Sequence, residues 1–149
     1  MTNCRLNDPV FERGLRDFMA VCNVVKTFRN MRILQISTRP YEFWSTMCNE
    51  GELLEKFNIQ LTPIPMPELT DEMKKAKAEG TEVAKVVEYC RQNMEICVKD
   101  NELENVAALK VAMGNLIKKY GCQAAAIQCW NQLQSEIGIM PCAANALLN

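Results

Sequence analysis

Two short polar segments carry the side chains best suited to ligand chemistry, Ser-Thr-Arg-Pro-Tyr at 37–41 and Gln-Cys-Trp-Asn at 128–131. A guanidinium, an amide and an indole that meet at one site can hold a polyol by hydrogen bonds and apolar contact. We therefore take Arg39, Gln128 and Trp130 as candidate substrate-binding residues. A structural alternative stays open, in which Trp130 covers the end of a sheet and Gln128 satisfies loop backbone. In that alternative Arg39 pairs with a nearby acid such as Glu42.

The composition excludes several kinds of catalytic and metal site. The chain has no histidine, so it cannot build Ser-His-Asp or Cys-His machinery, and the commonest transition-metal ligand is missing. Its eight cysteines are scattered without a CxxC pair, which favours buried free thiols over disulfides or a zinc site. The segment ISTRPYEF at 36–43 has no glycine and is neither GxGxxG nor a P-loop. We predict no catalytic residue, metal ligand or cofactor within this chain.

Charge and hydropathy narrow the partners. The net charge is -1, with acids and bases interleaved, whereas phosphate binding needs a basic excess on one face. No apolar run approaches the roughly 20 residues of a membrane helix. The segment MTNCRLNDP at the start lacks the order of a signal peptide. The expected partner is a small molecule rather than nucleic acid or a membrane, and the expected location is cytoplasmic.

Apolar periodicity and turn residues predict helices that alternate with strands. Gly114 falls inside a predicted helix, where close packing against a sheet would explain it. The predicted helices cover 8–30, 40–57, 65–100 with a break at Gly80-Thr81, 101–121, 131–138 and a segment from 141, and the predicted strands cover 31–38, 59–65 and 122–129.

Particular residues mark where these helices begin and end. Asp8 is expected to cap the first helix, and Pro40 is expected to open the second. Asn101 should begin a later helix with Glu104 as its capping-box partner. Gly121 should end that helix, because glycine readily adopts the left-handed conformation of a C-terminal cap.

This order of elements predicts one α/β domain over 1–149, an N-terminal helix 8–30 followed by a βαβαβα core 31–149. Strands that alternate with helices favour a short parallel sheet between two helical layers, a three-layer α-β-α arrangement. We predict the sheet order 2-1-3 of flavodoxin-like, Rossmann-like folds. In that order the winding direction switches between the first and third strands. Segments 37–41 and 128–131 emerge at this switch point, where such folds bind ligands.

Two longer stretches resemble a known family. RPYEFWSTMCNEGELLEKFNIQLTPIPMPEL at 39–69 and AAAIQCWNQLQSEIGIMPCAANALLN at 124–149 are similar to the middle domain of proteins related to L-fucose isomerase and L-arabinose isomerase. The similarity runs from about Asp8 to the last residue. Its most specific part is IQCWNQLQSEIGIMPC at 127–142.

The resemblance implies carbohydrate chemistry. Family members are longer, three-domain proteins that interconvert aldoses and ketoses by moving a proton between C1 and C2 through an enediol. A divalent metal, usually manganese, polarises the sugar oxygens. Its ligands, acidic residues and a histidine, follow the segment matched here. The chain is thus expected to be a fragment, truncated before the next strand and inactive alone, that supplies scaffold and one wall of the sugar pocket.

By matching to the family, Gln128 is the foremost candidate for a sugar hydroxyl contact, followed by Trp130 and Arg39. The parent protein is expected to be a homo-oligomer, and this chain to self-associate through the edge of its third strand, which the missing strand would cover. The alternative function is a non-catalytic flavodoxin-like domain that binds sugar or serves subunit assembly.

Overall fold

A computed structural model describes residues 4–148 of the chain. The first three residues of the N-terminal segment, and Asn149, where the predicted truncation falls, lie outside this range. None of the helices in it is long and apolar enough to cross a membrane. The elements described are α1 Pro9–Phe28, β1 Arg32–Ile36, α2 Glu50–Phe57, β2 Gln60–Ile64, α3 Met66–Glu79, α4 Thr81–Asn93, α5 Asp100–Tyr120, β3 Ala124–Ile127, α6 Gln132–Ile137 and α7 Cys142–Ala146.

The chain forms two compact units. The first contains α1 and α2, from the residues up to Met31 and from Asn49–Gln60. Asp8 caps α1 as expected, because its side chain accepts a hydrogen bond from the Val10 amide at 2.9 Å. The rings of Phe28 and Phe57 pack edge to face, with centroids 5.4 Å apart.

The second unit, Arg32–Cys48 and the residues from Leu61 onward, is built around the sheet. The strand order is β2-β1-β3, so the predicted order 2-1-3 is confirmed. β1 and β3 pair in parallel, from Ile33 opposite Ala124 to Ile36 opposite Ile127. β1 and β3 are both shorter than predicted, because the residues at their carboxyl ends form the loops of the candidate site.

Helix α5 is the centre of the core of this unit. It packs against α3, α4, α7 and the strands β1 and β3. Burying its apolar side chains stabilises the unit, at about 25 cal/mol for each Å² of apolar surface removed from water. Its buried residues are Leu103, Ala107, Ala108, Leu109, Ala112, Met113 and Leu116.

Two predicted helix starts are wrong. Pro40 opens a loop with a 3₁₀ turn at Trp44–Thr46, and α2 begins only after Asn49, whose side chain accepts from the Glu52 amide at 3.1 Å. The aromatic side chains of this loop pack on one another instead of forming a helical stripe. Helix α5 starts after Lys99, and the carboxylate that closes its first turn belongs to Glu102 rather than Glu104.

The predicted glycine boundaries are confirmed at two positions. Gly80 separates α3 from α4 with φ 72°, and Gly121 ends α5 with φ 61°. The expected close packing at Gly114 is wrong, since a Cβ there would meet Leu148 Cδ2 at 3.9 Å, an ordinary contact.

All eight cysteines are free, as predicted, but their predicted burial is wrong for most of them. Cys90 and Cys122 are buried in the second unit. Two others are half-buried, and four are exposed. The half-buried thiols are Cys4 and Cys129, and the exposed ones are Cys22, Cys48, Cys97 and Cys142.

Candidate functional site

Ser37 joins the carboxyl ends of the three strands. Its amide donates to the Ile64 carbonyl at the end of β2, at 2.8 Å. Its hydroxyl donates to Gln128 Oε1, just beyond β3, at 2.7 Å. The backbone N–H of Gln128 in turn donates to the carbonyl of Ile36, the last residue of β1, at 3.1 Å. The parallel pairing of β1 with β3 brings the two predicted segments together at the switch point of the sheet.

The bond from Ser37 fixes the orientation of the Gln128 side chain. Because Oε1 accepts from the hydroxyl, the amide nitrogen points away from Ser37 and is available as a donor. Within residues 4–148 this Nε2 makes no hydrogen bond to protein, and no buried polar side-chain atom is left unsatisfied. The alternative in which Gln128 satisfies loop backbone is wrong for this side chain, since its partner is a hydroxyl.

Gln132 extends the polar group on the first turn of α6. Its Oε1 lies 3.2 Å from Ser37 Oγ, so the single hydroxyl proton of Ser37 is shared between two amide oxygens. Its Nε2 donates to Glu136 Oε1 at 3.0 Å. Sequence reasoning missed Gln132, because Gln128 lies before α6 and their spacing of four residues is therefore not a helical one.

Backbone strain is concentrated at the same edge. Ser37 and Asn131 have φ of 64° and 68°, values that residues with a side chain rarely adopt. Asn58 shares this conformation but ends α2 as an ordinary left-handed cap. Such strain persists where surrounding bonds enforce it, and it is typical of ligand-binding loops.

An aromatic patch, defined as Tyr41, Phe43, Trp44 and Trp130, flanks the polar group. The rings of Phe43 and Trp130 lie 5.2 Å apart between centroids, and those of Tyr41 and Trp44 lie 5.7 Å apart. Trp130 is 51% exposed, Trp44 61% and Tyr41 77%, although aromatic side chains gain from burial. Clustered exposed rings of this kind mark interaction surfaces. About half of Trp130 is therefore open to solvent, while its ring also packs on Phe43.

Arg39 belongs to the loop that carries this patch. Its guanidinium lies over the Trp44 ring, 4.7 Å from the centroid, a cation–π contact. It also donates to the carbonyls of Pro40 at 3.4 Å and Tyr41 at 3.3 Å. Among the residues described it forms no ion pair, so the structural alternative in which Arg39 pairs with an acid such as Glu42 is wrong. Arg39 contacts Trp44, and Trp130 contacts Phe43, the neighbour of Trp44 in the same loop. This loop therefore connects Arg39 with Trp130, two of the three predicted site residues.

A cavity of about 730 Å³ lies elsewhere in the second unit, between α4, α5 and α7. Its walls are mainly apolar, with Tyr89, Val106 and Leu147 among them, and Lys110 at one side. None of the predicted site residues lines it. It has the volume of a small-molecule pocket. Its lining also includes the charged side chains of Glu82, Lys85 and Glu95.

The residues of this chain do not fit a manganese centre. Manganese prefers carboxylate and imidazole ligands in a cluster, and the chain has no histidine. In the part described, 4–148, no three cysteine, aspartate or glutamate side chains come together at one point. Among the residues described, the site at the sheet edge has no ligand cluster placed for metal chemistry.

No protein-family model matches this chain, and a search of curated proteins found no match either. The geometry supplies two unpaired donors, Gln128 Nε2 and the indole N–H of Trp130, beside open aromatic rings.

Proposed function

We propose that this chain is a piece of a metal-dependent aldose–ketose isomerase of the L-fucose isomerase and L-arabinose isomerase type. It supplies scaffold and one wall of the sugar pocket. The observation that carries the proposal is the hydrogen bond from Ser37 to Gln128, which leaves the Gln128 amide nitrogen free at the switch point of the sheet. The flavodoxin-like fold is part of the same proposal, supported by the order β2-β1-β3.

The proposed mode of binding follows from the chemistry of the side chains. Gln128 Nε2 and Trp130 Nε1 donate to sugar hydroxyl oxygens, and the Ser37 oxygen has lone pairs left to accept. The rings of Phe43 and Trp130 cover the apolar C–H side of the sugar. Such a wall orients the substrate and excludes water from one side. It does not itself move a proton between carbon atoms.

The metal step is assigned to residues outside this chain. A divalent metal held by those residues would supply Lewis-acid polarisation of the sugar oxygens. Nothing in residues 4–148 holds it, so the proposal predicts no turnover by the 149-residue chain alone. A homo-oligomeric parent and a cytoplasmic location complete the proposal, and both depend on the resemblance.

Sugar binding can be measured directly, because both tryptophans of the chain, Trp44 and Trp130, lie in the aromatic patch. We expect aldoses from a panel of hexoses and pentoses to change the intrinsic fluorescence saturably. Gln128→Ala should weaken that binding about tenfold, the equivalent of one hydrogen bond of about 1.4 kcal/mol. Gln92→Ala is the matched control, since Gln92 bonds only to Glu88 on exposed α4.

Catalysis is tested in the full-length parent protein with manganese on the same panel. We expect turnover by the parent and none by the chain. Turnover by the chain would overturn the proposal, because no plausible metal ligands would account for it. If neither protein turned over any sugar but the chain bound sugar saturably, a second candidate function, a non-catalytic domain, would be favoured.

That second candidate is a non-catalytic sugar-binding or structural assembly domain. The absence of a ligand cluster in residues 4–148 is the observation that favours it. Gln128→Ala in the full-length parent separates the roles. A large loss of turnover supports a pocket wall, whereas unchanged turnover supports assembly.

A further inference from the structure

Among the described residues of its own compact unit, helix α1 is packed mainly near its carboxyl end, where Phe28 meets Phe57. It is 20 residues long, about 30 Å, and none of its residues is buried. Helices in proteins gain most of their stability by packing an apolar face rather than from intrinsic helix propensity. Phe18 is 64% exposed and Val24 68% exposed. A helix this apolar and this open needs a surface to cover it.

One apolar stripe on α1 has the spacing of a coiled-coil seam. Its members are separated by steps of four, three, four and three residues, the heptad pattern that makes two helices supercoil. A second stripe is interrupted by Gly14 and Asp17, and its end at Phe28 already packs on Phe57 within the same unit. The uninterrupted seam is Phe11, Leu15, Phe18, Cys22 and Val25.

We propose that α1 pairs with α1 of a second copy of this chain, in antiparallel orientation. A two-fold axis then places Leu15 opposite the partner's Val25 and Phe18 opposite the partner's Cys22, with both contacts made twice. Each large side chain meets a smaller one, which allows the two helices to approach closely along the seam.

The charges beside the seam select the orientation. Glu12 follows Phe11 and Lys26 follows Val25, so both occupy the same flanking position of the heptad. In the antiparallel register these positions face each other, and Glu12 meets the partner's Lys26 at both ends. A parallel pair would instead bring Lys26 beside Val21 of the other copy, with no opposite charge. Among the residues described, neither Glu12 nor Lys26 has an ion-pair partner within its own chain.

Sedimentation equilibrium on the full 149-residue chain tests this interface, and we expect a monomer–dimer equilibrium. Glu12→Lys and Lys26→Glu should each raise the dimer dissociation constant about tenfold, because each turns two attractions into repulsions. The double variant Glu12→Lys/Lys26→Glu should return to within about threefold of the wild-type constant. Arg13→Glu, a charge reversal on the side of α1 away from the seam, should leave it unchanged.

Phe18→Ser probes the seam itself and should abolish the dimer and reduce helical circular dichroism. A monomer at every concentration would overturn the proposal. A dimer that responds no more to Glu12→Lys than to Arg13→Glu would also overturn it, and would indicate pairing through the edge of β3. If Phe18→Ser abolished the dimer but Glu12→Lys/Lys26→Glu did not restore the wild-type dissociation constant, the antiparallel register would be overturned. Dimerisation is measured without sugar. A failure of the proposed function would therefore leave this result unchanged, and a failure of the dimer would leave the proposed function standing.

Discussion

The Ser37 hydroxyl donates to Gln128 Oε1 at 2.7 Å, across 91 positions of sequence. This bond links the loops that follow β1 and β3, and it decides which end of the Gln128 amide is free. Ser37 is therefore a positioning residue for the proposed sugar contact. Its own φ of 64° shows that the loop holds it in place against a backbone preference.

Two substitutions of Ser37 separate the hydroxyl from the strain. Ser37→Ala and Ser37→Gly both remove the donor, so both should weaken sugar binding about three- to tenfold in a tryptophan fluorescence titration. Glycine accepts positive φ without strain. The free energy of unfolding should therefore be about 1 kcal/mol higher for Ser37→Gly than for Ser37→Ala. If Ser37 were only structural, the less stable of the two variants would also bind sugar more weakly. Equal loss of affinity in two variants of unequal stability is the result expected for positioning.

The site could be located from sequence because sheet topology follows from element order. The alternation of helices and strands predicted the order 2-1-3, and this order places Ser37 and Gln128 at one edge. The role of Gln132 could not be predicted, because it depends on how α6 begins after Asn131 at φ 68°. The aromatic patch was not predicted, because residues from Pro40 onward were wrongly assigned to a helix. Proline and periodicity predict local preference, whereas the packing of Phe43 on Trp130 is a contact across the sheet edge.

A second network ties α3 to α5 and makes stability depend on pH. Glu68 Oε1 accepts from Lys119 Nζ at 2.7 Å and from the Tyr120 hydroxyl at 2.6 Å. The hydrogen bond from Lys119, and then that from Tyr120, hold the pKa of Glu68 below its ordinary value of 4.5. A carboxyl whose pKa is lowered by folding stabilises the protein above its unfolded pKa, and this contribution is lost as the pH falls through the folded value.

We therefore expect Glu68→Gln to lower the free energy of unfolding at pH 7 by about 1 kcal/mol or less, since the group is partly solvated. The difference between wild type and variant should begin to shrink as the pH falls below about 4.5, and it should vanish once the pH lies below the lowered pKa of folded Glu68. Urea unfolding between pH 3 and pH 7 measures this. Glu88→Gln, which replaces a carboxylate bonded to the neutral Gln92, is the matched control and should show a smaller difference. A difference that stays constant with pH would contradict the assignment.

The cysteines should fall into classes of different reactivity. Burial raises the pKa of the Cys90 thiol, so less of it is thiolate at a given pH, and access is restricted as well. We expect Cys90 and Cys122 to react slowly with Ellman's reagent, and Cys48, Cys97 and Cys142 to react fast. Denaturation without reductant should release all eight thiols, and a lower total would indicate disulfides.

Cys22 gives this experiment a second use. It is exposed in one copy but lies in the seam of α1, so pairing should protect it. Its reaction rate should fall as protein concentration rises, while the rate of Cys48 stays constant. Mass spectrometry after brief alkylation distinguishes the two sites. Equal rates for Cys22 at all concentrations would count against the paired helix.

Two glycines of α5 should respond to alanine in opposite directions. Gly114 lies inside the helix, and an added Cβ would make only an ordinary contact, 3.9 Å from Leu148 Cδ2. Gly114→Ala should raise the free energy of unfolding by about 0.5–1 kcal/mol, because alanine loses less backbone entropy in a helix. Gly121 ends the same helix at φ 61°, so Gly121→Ala should lower it by about 1 kcal/mol although nothing lies within 4 Å of the new methyl group. Urea midpoints at constant slope measure both changes. If Gly114→Ala destabilised the chain, Gly114 would be needed for a close contact, and the sequence-based expectation of tight packing there would return.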